Sequence, residues 1–228
     1  MPRPPSSPSA SKPARRRPLA RARKISDRLA AAYPGTASEL CALSHRDAFE
    51  LLVATILSAQ CTDERVNMVM PFLFARYPTP ADLAGADRSE LENLIYPTGF
   101  FRAKAAHILG ASEAIVLRYS SEVPRTIEEL TALPGVGRKT ANVVLSVAFG
   151  LPGLPVDTHV TRLSHRLALS EAADPVKIEQ DMCALLPPRD WGAISLRLIL
   201  HGRRVCVARR PRCEVCELAD LCPSRGKF

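Results

Sequence analysis

The chain has 228 residues, 46% of them hydrophobic, and a formal net charge of +8. This length and apolar fraction suffice for one large or two small domains with a buried core. No segment approaches 18 uncharged apolar residues, so we expect no membrane-spanning helix. The excess of positive charge favours an acidic partner such as nucleic acid.

The positive charge is concentrated at the beginning of the chain. Residues 1–24 carry eight Lys and Arg residues, no Asp or Glu and six prolines, which leaves the other residues near neutral. A basic binding face on the folded part therefore has to be local. This composition cannot bury enough apolar surface to fold, so residues 1–24 are predicted to be a disordered basic tail. The tail lacks the apolar segment of a secretory signal, so we do not expect secretion.

After this tail, the chain has the pattern of successive short helices. Apolar residues recur at helical spacing, and Thr79 followed by Pro80 is typical of a helix start. Asp87 with Glu90, and Thr126 with Glu129, have the spacing of capping boxes. No segment alternates with period two and no hairpin signal is present. The sequence predicts an all-α fold of about ten short helices. The main helical segments are 25–34, 46–60, 63–78, 101–119, 157–169 and 191–205.

The stretch "LPGVGRKTANVV", residues 133–144, predicts two short helices joined by a glycine turn. Pro134 ends the first helix, and Gly135 with Gly137 permits a tight turn whose amides point outward. The second helix begins near Arg138, so the positive end of its dipole faces the same side. This arrangement favours a clamp for DNA phosphates, whereas the structural alternative is a plain glycine-rich helix corner.

Four of the seven cysteines lie in residues 206–222 with the spacing C-x6-C-x2-C-x5-C. Seven is an odd number, and with four of the cysteines in one cluster the pattern does not indicate a secreted disulfide framework. The spacing alone is equally compatible with zinc and with a [4Fe–4S] cluster. The clustered residues are Cys206, Cys213, Cys216 and Cys222. We expect Cys41, Cys61 and Cys183 to be ordinary buried thiols.

The hairpin sequence "LPGVGRKTANVVL" resembles the helix-hairpin-helix of the DNA glycosylase superfamily, and specifically its endonuclease III branch. In that branch the lysine of the motif is the nucleophile, which corresponds to Lys139. An aspartate follows 18 residues later in a V-D-T-H sequence, and "VDTH" here contains Asp157. The branch carries the same cysteine spacing. The resemblance covers residues 25–228.

The chemistry of this lysine and aspartate is reasonable in its own right. Lys139 follows Arg138 at a helix N-terminus, and both disfavour a second positive charge there. An uncharged amine can attack the C1′ atom of a deoxyribose, expel the base and form a Schiff base. Asp157 can stabilise the developing positive charge and move protons. The structural alternatives are a solvated surface lysine and an N-capping aspartate, and capping is compatible with catalysis.

The resemblance also implies a cofactor and a set of DNA contacts. It implies that the four clustered cysteines hold a [4Fe–4S] cluster and that their loop docks on the phosphate backbone. Gln60 would fill the space left by a flipped nucleotide, and Phe100 would wedge the opposite strand. Alternatively, Phe100 is a core residue and Gln60 a helix cap. Asp63 would lie beside the pocket. The implied DNA contacts are Gln60, Phe100, Gly135, Val136, Gly137, Arg138, His159, Arg209, Arg210 and Arg212.

We therefore interpret the chain as a monomeric, bifunctional DNA glycosylase and AP lyase of base excision repair. It would excise oxidised pyrimidines from double-stranded DNA and cleave the abasic site by β-elimination. A six-helix domain with the hairpin, residues 41–151, would face an iron–sulfur domain, residues 25–40 and 152–228, across a DNA-binding groove. In a bacterium we expect it in the cytoplasm with the nucleoid.

Two alternatives remain open from the sequence. A monofunctional, adenine-type glycosylase lacks the lysine and usually has a further C-terminal domain, so Lys139 and the short segment after Cys222 disfavour it. A non-catalytic DNA-binding or redox module on the same scaffold is the second alternative.

Overall fold

A computed structural model describes residues 16–227, and these residues form helices with no β-strand. The all-α prediction is confirmed. Within this range, no helix has the length and apolar character needed to cross a membrane. The helices are α1 Arg16–Ala32, α2 Ala37–Leu40, α3 Ala48–Leu57, α4 Asp63–Arg76, α5 Pro80–Ala84, α6 Arg88–Ile95, α7 Phe101–Tyr119, α8 Ile127–Thr131, α9 Arg138–Val143, α10 Thr158–Arg166, α11 Pro175–Leu185 and α12 Trp191–Arg204.

The predicted helix starts are made by side-chain caps. The Thr79 hydroxyl accepts a hydrogen bond from the amide of Asp82, whose carboxylate accepts one from the Thr79 amide at 3.0 Å. The Asp87 carboxylate likewise accepts from the amide of Glu90 at 2.9 Å. Such caps satisfy amides that have no partner inside the helix. Local side-chain chemistry therefore places these boundaries.

Helix α1 begins earlier than predicted. Disorder was expected for residues 1–24, but the helix starts at Arg16, so that prediction is wrong for its last nine residues. The physical reason is that Pro18 lies in the first turn, where a proline costs no hydrogen bond. Residues 1–15 of the predicted tail lie outside the described residues.

Long-range contacts hold this first helix in place. Arg21 donates hydrogen bonds to the carbonyl oxygens of Leu167 at 2.6 Å and Ala168 at 2.7 Å, just beyond the end of α10. Ala22 and Ile25, on the same helix, are buried in the core that this helix shares with α10 to α12. A basic residue predicted to be part of a loose tail is therefore a structural anchor.

The buried apolar side chains form two separate cores, which define two lobes. The first lobe comprises residues 43–149 and contains α3 to α9. The second lobe comprises residues 16–33 and 154–227 and contains α1 and α10 to α12.

The segment between the lobes is held tightly despite its glycines and prolines. The Asn142 side chain accepts a hydrogen bond from the amide of Leu154 at 3.2 Å. A Cβ atom on Gly153 would lie 2.6 Å from the Asn142 carbonyl oxygen, so only glycine allows this approach. The connection therefore fixes α9 against the start of the second lobe.

Candidate active site and cysteine pocket

The predicted hairpin is formed by α8 and α9, and its two glycines have different roles. Gly135 has a φ of 75°, and a Cβ atom there would lie 2.5 Å from the Cβ of His107 on α7. A Cβ atom on Gly137 would meet nothing within 4 Å. Gly135 is therefore required for packing against α7, whereas Gly137 leaves open space in front of the helix N-terminus.

Val136, between these glycines, does not fit its predicted role as a DNA contact. Its amide donates a hydrogen bond to the Leu133 carbonyl at 3.1 Å, and its side chain is buried in the first core. The tight turn needs this internal bond, and the apolar side chain gains by burial. Within residues 16–227 the amides of Gly135 and Gly137 have no partner, so these two remain candidates for phosphate binding.

Arg138, a predicted DNA contact, is exposed and has a partner within the protein. It donates two hydrogen bonds of 2.8 Å to the carboxylate of Glu179 on α11, which also accepts one from Asn142 at 3.0 Å. This bidentate pair crosses from the first lobe to the second. Glu179 compensates the charge of Arg138, so the expected repulsion between Arg138 and Lys139 is reduced.

Lys139 and Asp157 line the same cleft between the two lobes. Lys139 is exposed in the first turn of α9 and has no hydrogen bond or ion pair among residues 16–227. Asp157 is the N-cap of α10 and accepts from the Val160 amide at 2.8 Å. The other walls of the cleft are formed by Leu40, Cys41, Ala42, Leu43, Thr55, Ser58, Asp63, Val143, Leu196, Ile199, Leu200 and Arg203.

One ion pair in this cleft was missed by the sequence analysis. Arg203 lies near the end of α12 and Asp63 at the start of α4. The Arg203 side chain donates a hydrogen bond of 2.9 Å to the Asp63 carboxylate. Asp63 was expected beside the pocket, but nothing in the sequence singled out Arg203 from its basic neighbours. The pair joins the lobes next to the predicted catalytic residues.

Gln60 and Phe100 line a neighbouring groove with residues of the hairpin. Both have left-handed backbone conformations, with φ of 53° and 47°. Phe100 is 66% exposed, which excludes the alternative that it is a core residue. Non-glycine residues in this conformation cost of order 1–3 kcal/mol and persist only where neighbouring structure enforces them. The fold therefore holds two solvent-exposed side chains in strained positions beside the hairpin.

The remaining predicted DNA contacts differ in their accessibility. His159 is half-buried between α10 and α12, with its Nδ1 atom 3.1 Å from Arg162. Burial lowers its pKa, so the imidazole is neutral at neutral pH. Arg209, Arg210 and Arg212 are all exposed, and Arg212 also donates a hydrogen bond to the Arg204 carbonyl. The basic loop thus presents Arg209, Arg210 and Arg212 to solvent.

The four clustered cysteines surround a single pocket in the second lobe. The seven cysteines are all unpaired and partly buried. Arg166 donates to Cys206 Sγ at 3.3 Å, and the Leu218 amide donates to Cys216 Sγ at 3.4 Å. Such donors stabilise thiolates, the form that binds metal. Four thiol donors around one pocket therefore fit a metal cluster.

Two family models match the chain. Residues 53–188 match the HhH-GPD superfamily of base excision DNA repair proteins. Residues 206–222 match the iron–sulfur binding domain of endonuclease III, and their first and last residues are cysteines. The [4Fe–4S] cofactor is thereby confirmed, and the zinc alternative is set aside.

Known relatives agree with this assignment. Endonuclease III of Synechocystis sp. is 58% identical over 84% of this chain and 87% of its own length. A solved non-covalent endonuclease III–DNA complex superposes with a TM-score of 0.84 at 42% identity, over 92% of this chain and 97% of that one. A trapped covalent endonuclease III–DNA intermediate gives 0.85 at the same identity and coverage. With the hairpin, the inter-lobe cleft and the cysteine pocket in place, this chain belongs to the endonuclease III family.

Proposed function

We propose that Lys139 and Asp157 are the catalytic pair of this bifunctional DNA glycosylase and AP lyase, and that its substrates are oxidised pyrimidines. One observation carries the proposal. Lys139 belongs to the first lobe and Asp157, 18 residues later, to the second, yet both line the same cleft. An amine and a carboxylate in one cleft are the groups that attack on a sugar carbon requires.

Lys139 acts as the nucleophile. Its Nζ atom attacks C1′ of the deoxyribose while the bond from C1′ to the base nitrogen breaks, and the base leaves with the bonding electrons and takes up a proton. Loss of protons from the attacking nitrogen and opening of the sugar ring give a Schiff base. DNA bound over the exposed amine excludes water from the reacting atoms.

We assign two roles to the Asp157 carboxylate: it stabilises positive charge on the sugar and it transfers protons. Its bond to the Val160 amide holds the carboxylate at the start of α10, facing the cleft. From there it stabilises positive charge on the sugar and accepts protons. Removal of a C2′ proton from the Schiff base then breaks the C3′–O bond, which is the β-elimination step.

The neighbouring groove serves extrusion of the damaged nucleotide. A nucleotide must leave the base stack before its C1′ atom is accessible, and side chains must fill the resulting gap. Gln60 and Phe100 are exposed beside the hairpin and suit that role. The free amides of Gly135 and Gly137, with Arg209 and Arg210, bind phosphates and position the duplex.

The cysteines at positions 206, 213, 216 and 222 are the ligands of the [4Fe–4S] cluster. The bound cluster supplies metal–thiolate bonds that fix the loop, and the reaction takes place elsewhere. The loop residues Arg209 and Arg210 are thereby held in one orientation toward the DNA backbone. We further propose that the enzyme acts as a cytoplasmic monomer.

Borohydride trapping tests the catalytic assignment, because borohydride reduces a Schiff base to a stable amine. With duplex DNA containing an oxidised pyrimidine, the wild-type protein and Lys177→Ala, which alters an exposed lysine on α11, are expected to form a covalent adduct. Lys139→Ala is expected to form none. An adduct with Lys139→Ala refutes the nucleophile, and base release without any adduct favours a monofunctional enzyme. Repeating the assay over a panel of lesions tests the preference for oxidised pyrimidines.

A further inference from the structure

Helix α7 contains a buried lysine that the proposed mechanism does not use. Lys104 is 4% exposed, and its Nζ atom donates hydrogen bonds to the carbonyl oxygens of Leu57 at 2.7 Å and Thr98 at 2.8 Å. No carboxylate among residues 16–227 pairs with it. Burial lowers the pKa of Lys104, and a cation in the first turn of a helix opposes the helix dipole. This placement is costly for stability alone.

The two carbonyls that Lys104 binds belong to the segments that carry the exposed groove residues. Leu57 ends α3, three residues before Gln60, and Thr98 lies two residues before Phe100. Carbonyls at a helix end have no partner inside the helix, so a single ammonium can bridge the two segments. Gln60, Phe100 and Lys104 line the same groove.

We propose that Lys104 is a positioning residue that fixes the spacing between Gln60 and Phe100, so that both enter the duplex together when a nucleotide is extruded. This proposal rests on the roles proposed above for Gln60 and Phe100. Both residues hold left-handed backbone conformations that need external support. Lys104 supplies that support through the carbonyls of Leu57 and Thr98, and so sets the geometry of both segments before DNA binds.

The proposal assigns Lys104 to extrusion and not to the chemical steps. An abasic site in single-stranded DNA has no base to extrude and no opposite strand to wedge. Lys104→Met is therefore expected to lower single-turnover excision from duplex DNA by roughly ten- to hundredfold. Cleavage of a preformed abasic site in single-stranded DNA is expected to change by less than about twofold. Fluorescence of 2-aminopurine beside the lesion is expected to report less unstacking.

Two control variants separate positioning from charge. Lys104→Arg keeps a cationic donor and is expected to restore most duplex activity. Arg118→Met removes an exposed cation from the same helix and is expected to behave as wild type on both substrates. If Lys104→Met does not fold, as judged by circular dichroism, Lys104→Gln is measured on the same two substrates.

An equal loss on both substrates, or no loss on duplex DNA, overturns the positioning role. In either case, a covalent adduct formed by the wild-type protein and absent in Lys139→Ala would still support the proposed function. Failure of the Lys104 proposal can therefore be distinguished from failure of the catalytic assignment. Duplex activity that is unaffected by Gln60→Ala and Phe100→Ala would overturn the groove assignment on which this inference rests.

Discussion

The two lobes of the protein are stabilised in different ways. The first lobe has a continuous core of fully buried aliphatic side chains, such as Leu52 on α3 and Ile108 on α7. The second lobe has a smaller core, and arginine side chains join its distant segments by binding backbone carbonyls. Arg166 donates to the Ala208 carbonyl and Arg197 to the Tyr33 carbonyl, at 2.9 and 3.0 Å.

This difference indicates how each lobe contributes to the cleft. We expect burial of apolar surface to contribute most of the stability of the lobe that carries Lys139. The lobe that carries Asp157 depends on directed hydrogen bonds and on a cluster in the cysteine pocket. Lys139 and Asp157 therefore come together only if the two lobes are held in a fixed position relative to each other.

The largest expected effect comes from the first lobe. Lys139→Ala removes the amine but leaves the exposed start of α9 otherwise unchanged, so folding should be unaffected. We expect single-turnover base release to fall by roughly 10⁴-fold or more, because a nucleophile has no substitute. Lys177→Ala serves as the matched control. Retained base release would mean that the first lobe contributes no nucleophile.

Loss of a cluster ligand tests the dependence of the second lobe on metal. Cys216→Ser is expected to reduce iron content and to destabilise this lobe by several kcal/mol, as loss of a structural metal site does. Hydrogen exchange should show faster exchange in α10 and α12, with α3 and α7 still protected. Cys183→Ser, which changes a thiol whose pKa burial raises to about 12, is the control. Uniform loss of protection in both lobes would contradict their separate stabilisation.

Asp157→Asn separates catalysis from helix capping. Asparagine also caps helices, so α10 should keep its start and the melting temperature should change little. The negative charge is lost, and we expect base release to fall by roughly a hundredfold. Rates and thermal melts of the same preparation provide the test. A large drop in melting temperature with unchanged activity would make Asp157 a purely structural residue.

The smallest expected effect concerns the ion pair between the lobes. Glu179→Gln weakens the bidentate contact with Arg138, whose side chain is 42% exposed. We expect a loss of about 1–2 kcal/mol in unfolding free energy, because solvent partly screens the pair. Denaturant unfolding measures this, with Glu171→Gln at an exposed site as control. An unchanged denaturation midpoint would mean that the two lobes keep their relative position without the Arg138–Glu179 pair.

Features that depend on neighbouring residues were predictable from the sequence. The predicted caps at Thr79 and Asp87 are confirmed, and they were predictable because each bond joins residues only three positions apart. The hairpin was predictable because its turn requires glycine at position 135. The start of α1 was not, because the Arg21 contacts that hold it lie 146 and 147 residues away.

The sequence by itself determined the helical fold class, because periodicity and capping are local properties. It also determined the family and the cluster, because the hairpin and cysteine motifs resemble those of that family; the cysteine spacing alone left zinc and iron–sulfur open. Only the tertiary structure decided that Arg138 binds Glu179, 41 residues away, and that Arg203 binds Asp63, 140 residues away. It also decided that Lys104 is buried while Lys139 is exposed. The physical reason is that a charged side chain takes its partner from whichever elements the fold brings within a few ångströms, and residue type alone does not specify them.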